Sequence, residues 1–358
     1  MAFCRVLVWS ALHCGKVYAV NTAVDSRDAD NILRWDGEKR GHYEVYFLKF
    51  NDSLNRMACW IRYTLTSPTE GCGDAYCELW GIFFDVDNPR NNFAVKKRYP
   101  VGALGWERDR FQLSIGDAEL LPGSCHGSIE SAGGEHSLAW GLDFESRSPT
   151  LYHFPYQSMY RLAFPKTKVL CPYVDARFSG WLEADGKRFK LERVPGQQEH
   201  LWGTKHALRW AWGHCNSFAE DPGAVWEGLD AQIKMGPVPS PHLKVFYLKA
   251  FGREHHFSAL PRWFLNRSRW ELGKWSFEAR NAQVRVRGEI SCRPEEMVAV
   301  TYTDPDGELL WCNNSKVARM ELEILDHSGA SLGTLTTADT AAAEFVDRRT
   351  YPQVPIRL

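Results

Sequence analysis

From His42 onward this chain reads as one short strand after another, separated by polar turns, and stretches of helical periodicity with caps are hard to find. "HYEVYFLKF", the turn "NDSLNR" and "MACWIRYTL" form a hairpin signature, and strand-like segments continue to about residue 146. Prolines 149, 155, 165 and 172 then break up any regular element, which marks a crossing between two units at about residues 147–175. A second series follows, opening with a hairpin across Asp185-Gly186, a dipeptide that favours positive φ. Turn signals every 8 to 12 residues or so are the pattern of antiparallel sandwiches and barrels. The expectation is an all-β protein of two tandem antiparallel β-barrels: an extension over residues 1–20, a first barrel over 21–160 and a second over 161–358. The tail "TLTTADTAAAEFV" is expected to end in a short helical turn.

Composition narrows the function. Forty-three basic and 44 acidic residues leave a formal charge of -1, which favours neither nucleic acid nor an anionic membrane as partner. Nor does any stretch reach the roughly 18 apolar residues of a membrane helix. Arg5, His13 and Lys16 interrupt the apolar run of the first twenty residues, so the reading is a cytoplasmic protein with an N-terminal extension. The ten cysteines lack disulfide or zinc spacing, and the expectation is no metal, no cofactor and no obligatory disulfide. No serine elbow, phosphate loop or dinucleotide fingerprint is present. Aromatics, at 13% with 15 Trp, suit a pocket for a hydrophobic ligand.

The candidate site begins at "EHLWGTKHALRWAWGHCNSF", Glu199 to Phe218. As a strand it places His206, Leu208, Trp210, Trp212, His214, Asn216 and Phe218 on one face, with Ala207, Arg209, Ala211, Gly213, Cys215 and Ser217, mostly small, on the other. Such a strand suits a wall that curves around an interior with its large side chains inside. His214, beside Trp212 and Asn216, is a candidate proton donor, with a hydrogen bond between strands as its structural alternative. Cys215 faces the other way and reads as a compact apolar filler. Glu44 alternates with Tyr46, and Glu78 with Trp80; a carboxyl group against such rings keeps its proton at neutral pH. The alternative is a buried salt bridge, with Arg62 or Arg209 as partner. Glu227 and Asp230 fall on opposite faces, so at most one looks inward.

The run Glu199, Trp202-Gly203, Trp210, Trp212, Cys215-Asn216 and Phe218 resembles the signature of the tocopherol cyclase family. The hairpin "FSGWLEADGKRFKLERVPG" just upstream, and "GHYEVYFLKF" with "WIRYTLTSP" in the first half, are similar to that family's hairpins. Ala207-Leu208 and His214 depart from the pattern and leave the substrate open. The resemblance implies a double lipocalin-like barrel, related to carotenoid 1,2-hydratases and fungal Diels-Alderases. It further implies a hydrophobic ligand near the junction of the barrels, and acid-assisted cyclisation, isomerisation or hydration, or a pericyclic reaction. On this reading His214, Glu44 and Glu78 are the candidate acids. Trp202, Trp210, Trp212, Asn216, Glu199, Tyr46, Trp80 and Glu227 hold the substrate, which is a hydrophobic small molecule with peripheral access from a membrane as a further option. The rival readings are a non-catalytic carrier with the same pocket, and a protein whose barrels are packed shut.

Overall fold

The computed structural model describes residues 26–236 and 238–358; the expected extension over 1–20 lies outside the described residues. Among the described residues strand dominates, and only Ser26–Asn31 and Leu260–Leu265 are α-helical. The first sheet has twelve strands, with His42–Asp52 between Met57–Ser67 and Lys187–Gly203. The second has ten, with Arg209–Cys215 between Val225–Gln232 and Ser331–Asp347. The ladder pairings are antiparallel, apart from an isolated parallel bridge of Ala299 to Ile356. Each sheet curls around its own core, giving the expected tandem barrels.

The division between the units differs from the expected one. Thr167–Ala184 and Lys187–Gly203 pair with each other, and the latter pairs with His42–Asp52, so both belong to the first sheet. The change of sheet falls between Gly203 and Arg209, beyond the proline-rich crossing. Prolines mark where pairing is interrupted, and the chain here returns to the sheet it left. Their hairpin turns at Asp185 and Gly186, with φ of 48° and 78°, the two positive values that a type I′ turn requires. "TLTTADTAAAEFV" is part of the 17-residue strand Ser331–Asp347, with no helical turn. Ala341 and Ala343 face the second core and Ala342 the layer between the barrels, so burial on two sides overrides alanine's helical preference.

That middle layer positions the site. On His42–Asp52, Tyr46, Leu48 and Phe50 fill the first core, while Tyr43, Val45 and Phe47 point to the second barrel. The strand is consequently buried along its whole length. Trp60, Trp80, Trp212, Val300 and Tyr302 share the layer. On Arg209–Cys215, Ala211 and Cys215 point into the second core and Trp212 points out of it. The alternation is as expected, but its sense is reversed: the bulky face is the outside of the second barrel, and the small face is its interior. Trp226 explains why, since its ring lies against both Gly213 and Gly228 and occupies the space that side chains there would need.

Candidate functional site

A cavity of about 510 Å³ lies between the barrels. Val45, Phe47, Trp60 and Arg62 line it from the first two strands, Glu199 and Leu201 from Lys187–Gly203, and Trp210 and Trp212 from Arg209–Cys215. Leu229, Val245, Tyr302 and Glu344 come from the rest of the second barrel, and His153, Phe154 and Phe164 from the proline-rich crossing. Exposed Phe164, Lys166 and Lys234 mark its open side. The rings are ordered by one another: His206 stacks on Tyr43 with centroids 4.0 Å apart, and Phe47 meets Trp212 edge-on at 5.5 Å.

A buried polar group stands in this apolar wall. Glu199 is 2% exposed and accepts a hydrogen bond from the Gln197 amide at 2.7 Å. Burial, reinforced by the neighbouring Glu227 and Glu344 carboxyls, holds its pKa well above the usual carboxylate range, so it keeps its proton. Glu227 is met by three donors: Trp212 Nε1 at 2.6 Å, His153 Nε2 at 3.2 Å and Gln197 Nε2 at 3.3 Å. Lys316 Nζ is anchored by Asn314 at 2.6 Å and by Glu344 at 3.0 Å. His153, Glu199 and Glu227 bring one nitrogen and two carboxyl groups within 4.8 Å of one another, a donor set that can also hold a divalent cation. Cysteine and histidine spacing is blind to such a set, whose members come from three separate segments.

The expected site residues divide sharply. Glu199, Trp210 and Trp212 line the cavity, and Glu227 sits directly behind Trp212 as the acceptor of its indole N–H. His214 does not line it. His214 is fully buried, its Nε2 is bonded to the Val174 carbonyl oxygen at 2.8 Å, and burial followed by the Lys49 ammonium depresses its pKa well below the usual value. A group so placed is a poor proton donor, and its structural alternative fits. Asn216, next on that face, is also outside the cavity: its amide donates to the Gly196 carbonyl oxygen at 2.8 Å.

Glu44 is the second correction. Burial alone would raise its pKa, but bonds from His200 at 2.8 Å and His42 at 3.0 Å reverse this and bring it down to about 2. Tyr46 and the backbone N–H groups of Arg34 and Trp35 donate to it as well. Tyr46 therefore belongs to the first core, stacked on His200. Glu78 is held by both Nε and Nη2 of Arg98, at 3.0 and 2.8 Å, and so makes the alternative salt bridge with a partner other than Arg62 or Arg209. Trp80 lies in the middle layer outside the cavity, against Trp60, Tyr302 and Arg62. Trp202 points the other way from Glu199 and Leu201, packing on His200 and beneath Arg34. Asp230, opposite in sense to Glu227, pairs with His242 at 2.6 Å.

Sequence reasoning missed Arg62 as a cavity residue, along with Trp60, Tyr302, His153 and Glu344, and set His206 on the face of Trp210 and Trp212 without naming it as a site residue. For Trp60 and Arg62 a signal existed, because alternation in "MACWIRYTL" sets both on one face. For His153 and Glu344 there was none, since only the crossing's path and the return of Ser331–Asp347 bring them to the cavity.

Tandem antiparallel barrels with an aromatic cavity at their junction define the class. The model of the family described as tocopherol cyclase-like matches residues 138–345, and the chain belongs to this family. The uncharacterized protein Rv0493c of Mycobacterium tuberculosis (strain ATCC 25618 / H37Rv) is 27% identical over 322 residues, which are 88% of this chain and 91% of that protein. The chloroplastic tocopherol cyclase of Zea mays is 43% identical over 49 residues, 14% of this chain and 10% of that protein. Among solved structures, CghA superposes with a TM-score of 0.59 at 10% identity, over 89% of this chain and 92% of that one. CghA with Sch210972 gives 0.55 at 10% identity, over 86% and 88%. These two carry the fold alone.

Proposed function

We propose that this chain is an enzyme that binds a hydrophobic, terpenoid- or polyene-like molecule between its barrels and starts cyclisation, isomerisation or hydration with a proton from Glu199. One observation carries the reading: a buried carboxyl group beside a second carboxyl, Glu227, stands in the wall of an aromatic cavity, an arrangement that favours the protonated acid. Glu199 gives its proton to an alkene carbon or an epoxide oxygen, and the cation that develops is stabilised by the faces of Trp60, Trp210 and Trp212. Loss of a neighbouring proton back to the Glu199 carboxylate gives the cyclised or isomerised alkene. Capture by water or an internal hydroxyl, whose proton returns to Glu199, gives the alcohol or ether. A pure carrier has no need of an acid in its wall. The exposed Phe164 at the open side suits an apolar molecule delivered from a membrane surface.

The test starts from mass spectrometry of small molecules extracted from the native protein, followed by turnover assays on what is found. Glu199→Gln should lower turnover about 10²-fold or more with binding retained; unchanged turnover would defeat the reading. The donor set of His153, Glu199 and Glu227 favours one second reading, in which a divalent cation polarises the substrate. Dialysis against EDTA separates the two, because proton transfer from Glu199 survives it and a metal-dependent rate does not.

A further inference from the structure

Arg62 is the cavity residue that neither the proton transfer nor the packing accounts for. It lines the cavity, is 4% exposed, and among the described residues forms no ion pair and no hydrogen bond, its Nε being buried without a partner. The acids around it are taken. Asp304 is bonded to His206 at 2.7 Å and to Arg348 at 3.0 Å, Glu344 to Lys316 at 3.0 Å, and Glu78 to Arg98 at 2.8 Å. Arg62 has only rings: its guanidinium carbon is 4.1 Å from the centroid of Tyr302, 5.2 Å from Trp80 and 5.8 Å from Trp60. Attraction to ring faces is weaker than the desolvation cost of a buried ion, so a cation in this position is short of a partner.

We infer that Arg62 receives an anionic oxygen group of the substrate, a carboxylate, whose apolar remainder extends along the cavity to Glu199. The planar fork of a guanidinium matches a carboxylate. Register supplies the ruler. Arg62 is paired with Phe47, and Phe47 with Glu199, so the three stand level on adjacent strands. Two interstrand spacings separate the backbones of Arg62 and Glu199 by about 10 Å. The substrate is thereby an unsaturated apolar acid with its reacting double bond several carbons from the carboxylate, which rests on the reading of Glu199 given above.

The test uses cis-parinaric acid, a fluorescent polyene, and its methyl ester, titrated at about pH 8, where the free acid is ionised. The wild type should bind the acid about tenfold or more tightly than the ester. Arg62→Met should bind both alike at the ester's affinity, and Arg62→Lys should keep part of the preference. If the wild type binds both equally, or Arg62→Met keeps the preference, the inference falls while the cavity reading stands. If the wild type binds neither, the cavity is no apolar-ligand site and both fall. Ligand-free thermal unfolding checks for a structural role. Arg62→Met should melt at or above the wild type, because it removes an uncompensated charge and keeps the apolar stem; melting well below it would show that Arg62 holds the fold and would overturn the inference.

Discussion

Two buried glutamates show how completely local partners decide chemistry. Glu44 is surrounded by donors and stays charged, whereas Glu199 is buried from water, with acidic neighbours reinforcing the effect, and its pKa is pushed up. The two should respond oppositely to pH. Glu44's folded pKa of about 2 lies below the ordinary value of 4.5, so its stabilisation is present above pH 4.5 and is lost as pH falls towards 2. Glu44→Gln should cost roughly 3 kcal/mol at neutral pH and flatten that acid loss, measured by denaturant unfolding across pH. Glu199's folded pKa is raised, so its contribution is present below pH 4.5 and fades as pH rises through the folded pKa. Turnover should fall along the same alkaline limb, and a flat pH–rate profile there would argue against Glu199 as the acid. His214→Phe separates position from chemistry. Leaving the buried Val174 carbonyl oxygen without its partner should cost about 1–3 kcal/mol of stability, while the folded fraction keeps turning over.

At the level of the element, Arg209–Cys215 faces two hydrophobic layers with two sizes of side chain. Gly213 pairs with Gly228, and the Trp226 ring lies against both. A Cβ on Gly228 would stand 2.4 Å from Trp226 and 2.8 Å from Phe246. Gly228→Val should therefore destabilise the protein by about 1–3 kcal/mol through overpacking, read from its unfolding midpoint in urea. Cys215 is the compact filler its face suggested, buried in the same core. The Trp210 and Trp212 face survives as cavity wall only because that core is full without it.

For the whole molecule, the barrels are joined by a hydrophobic layer crossed by buried hydrogen bonds. The Asn51 amide donates to the Lys316 carbonyl oxygen at 2.6 Å, His214 Nε2 meets the Val174 oxygen, and the Asn216 amide meets the Gly196 oxygen. Separating the barrels would expose the layer and leave these groups unpaired. The expected outcome is one cooperative unfolding transition, with near- and far-ultraviolet circular dichroism curves that coincide. Two resolved transitions would show barrels that fold independently.

The all-β class, the hairpins at residues 42–67 and at Asp185-Gly186, and the opposite facing of Trp212 and Cys215 were legible in the sequence, because alternation and turn chemistry act between near neighbours. Trp210, Trp212 and Glu199 were legible too, through their place in a signature stretch. Which side of a strand is the inside was not, since period two is the same from either face: hence the reversed sense of the tryptophan strand, and Glu44 and Tyr46 placed in the first core, away from the cavity. Nor could the raised pKa of Glu199 be read locally, because it comes first from burial between the barrels and then from Glu227 and Glu344, on strands of the other barrel. The sequence by itself determined the period of each strand and the chemistry available on it. Only the tertiary structure decided which face met which, and with it which carboxyl group had its pKa raised and which buried arginine, among the described residues, was left without an anion.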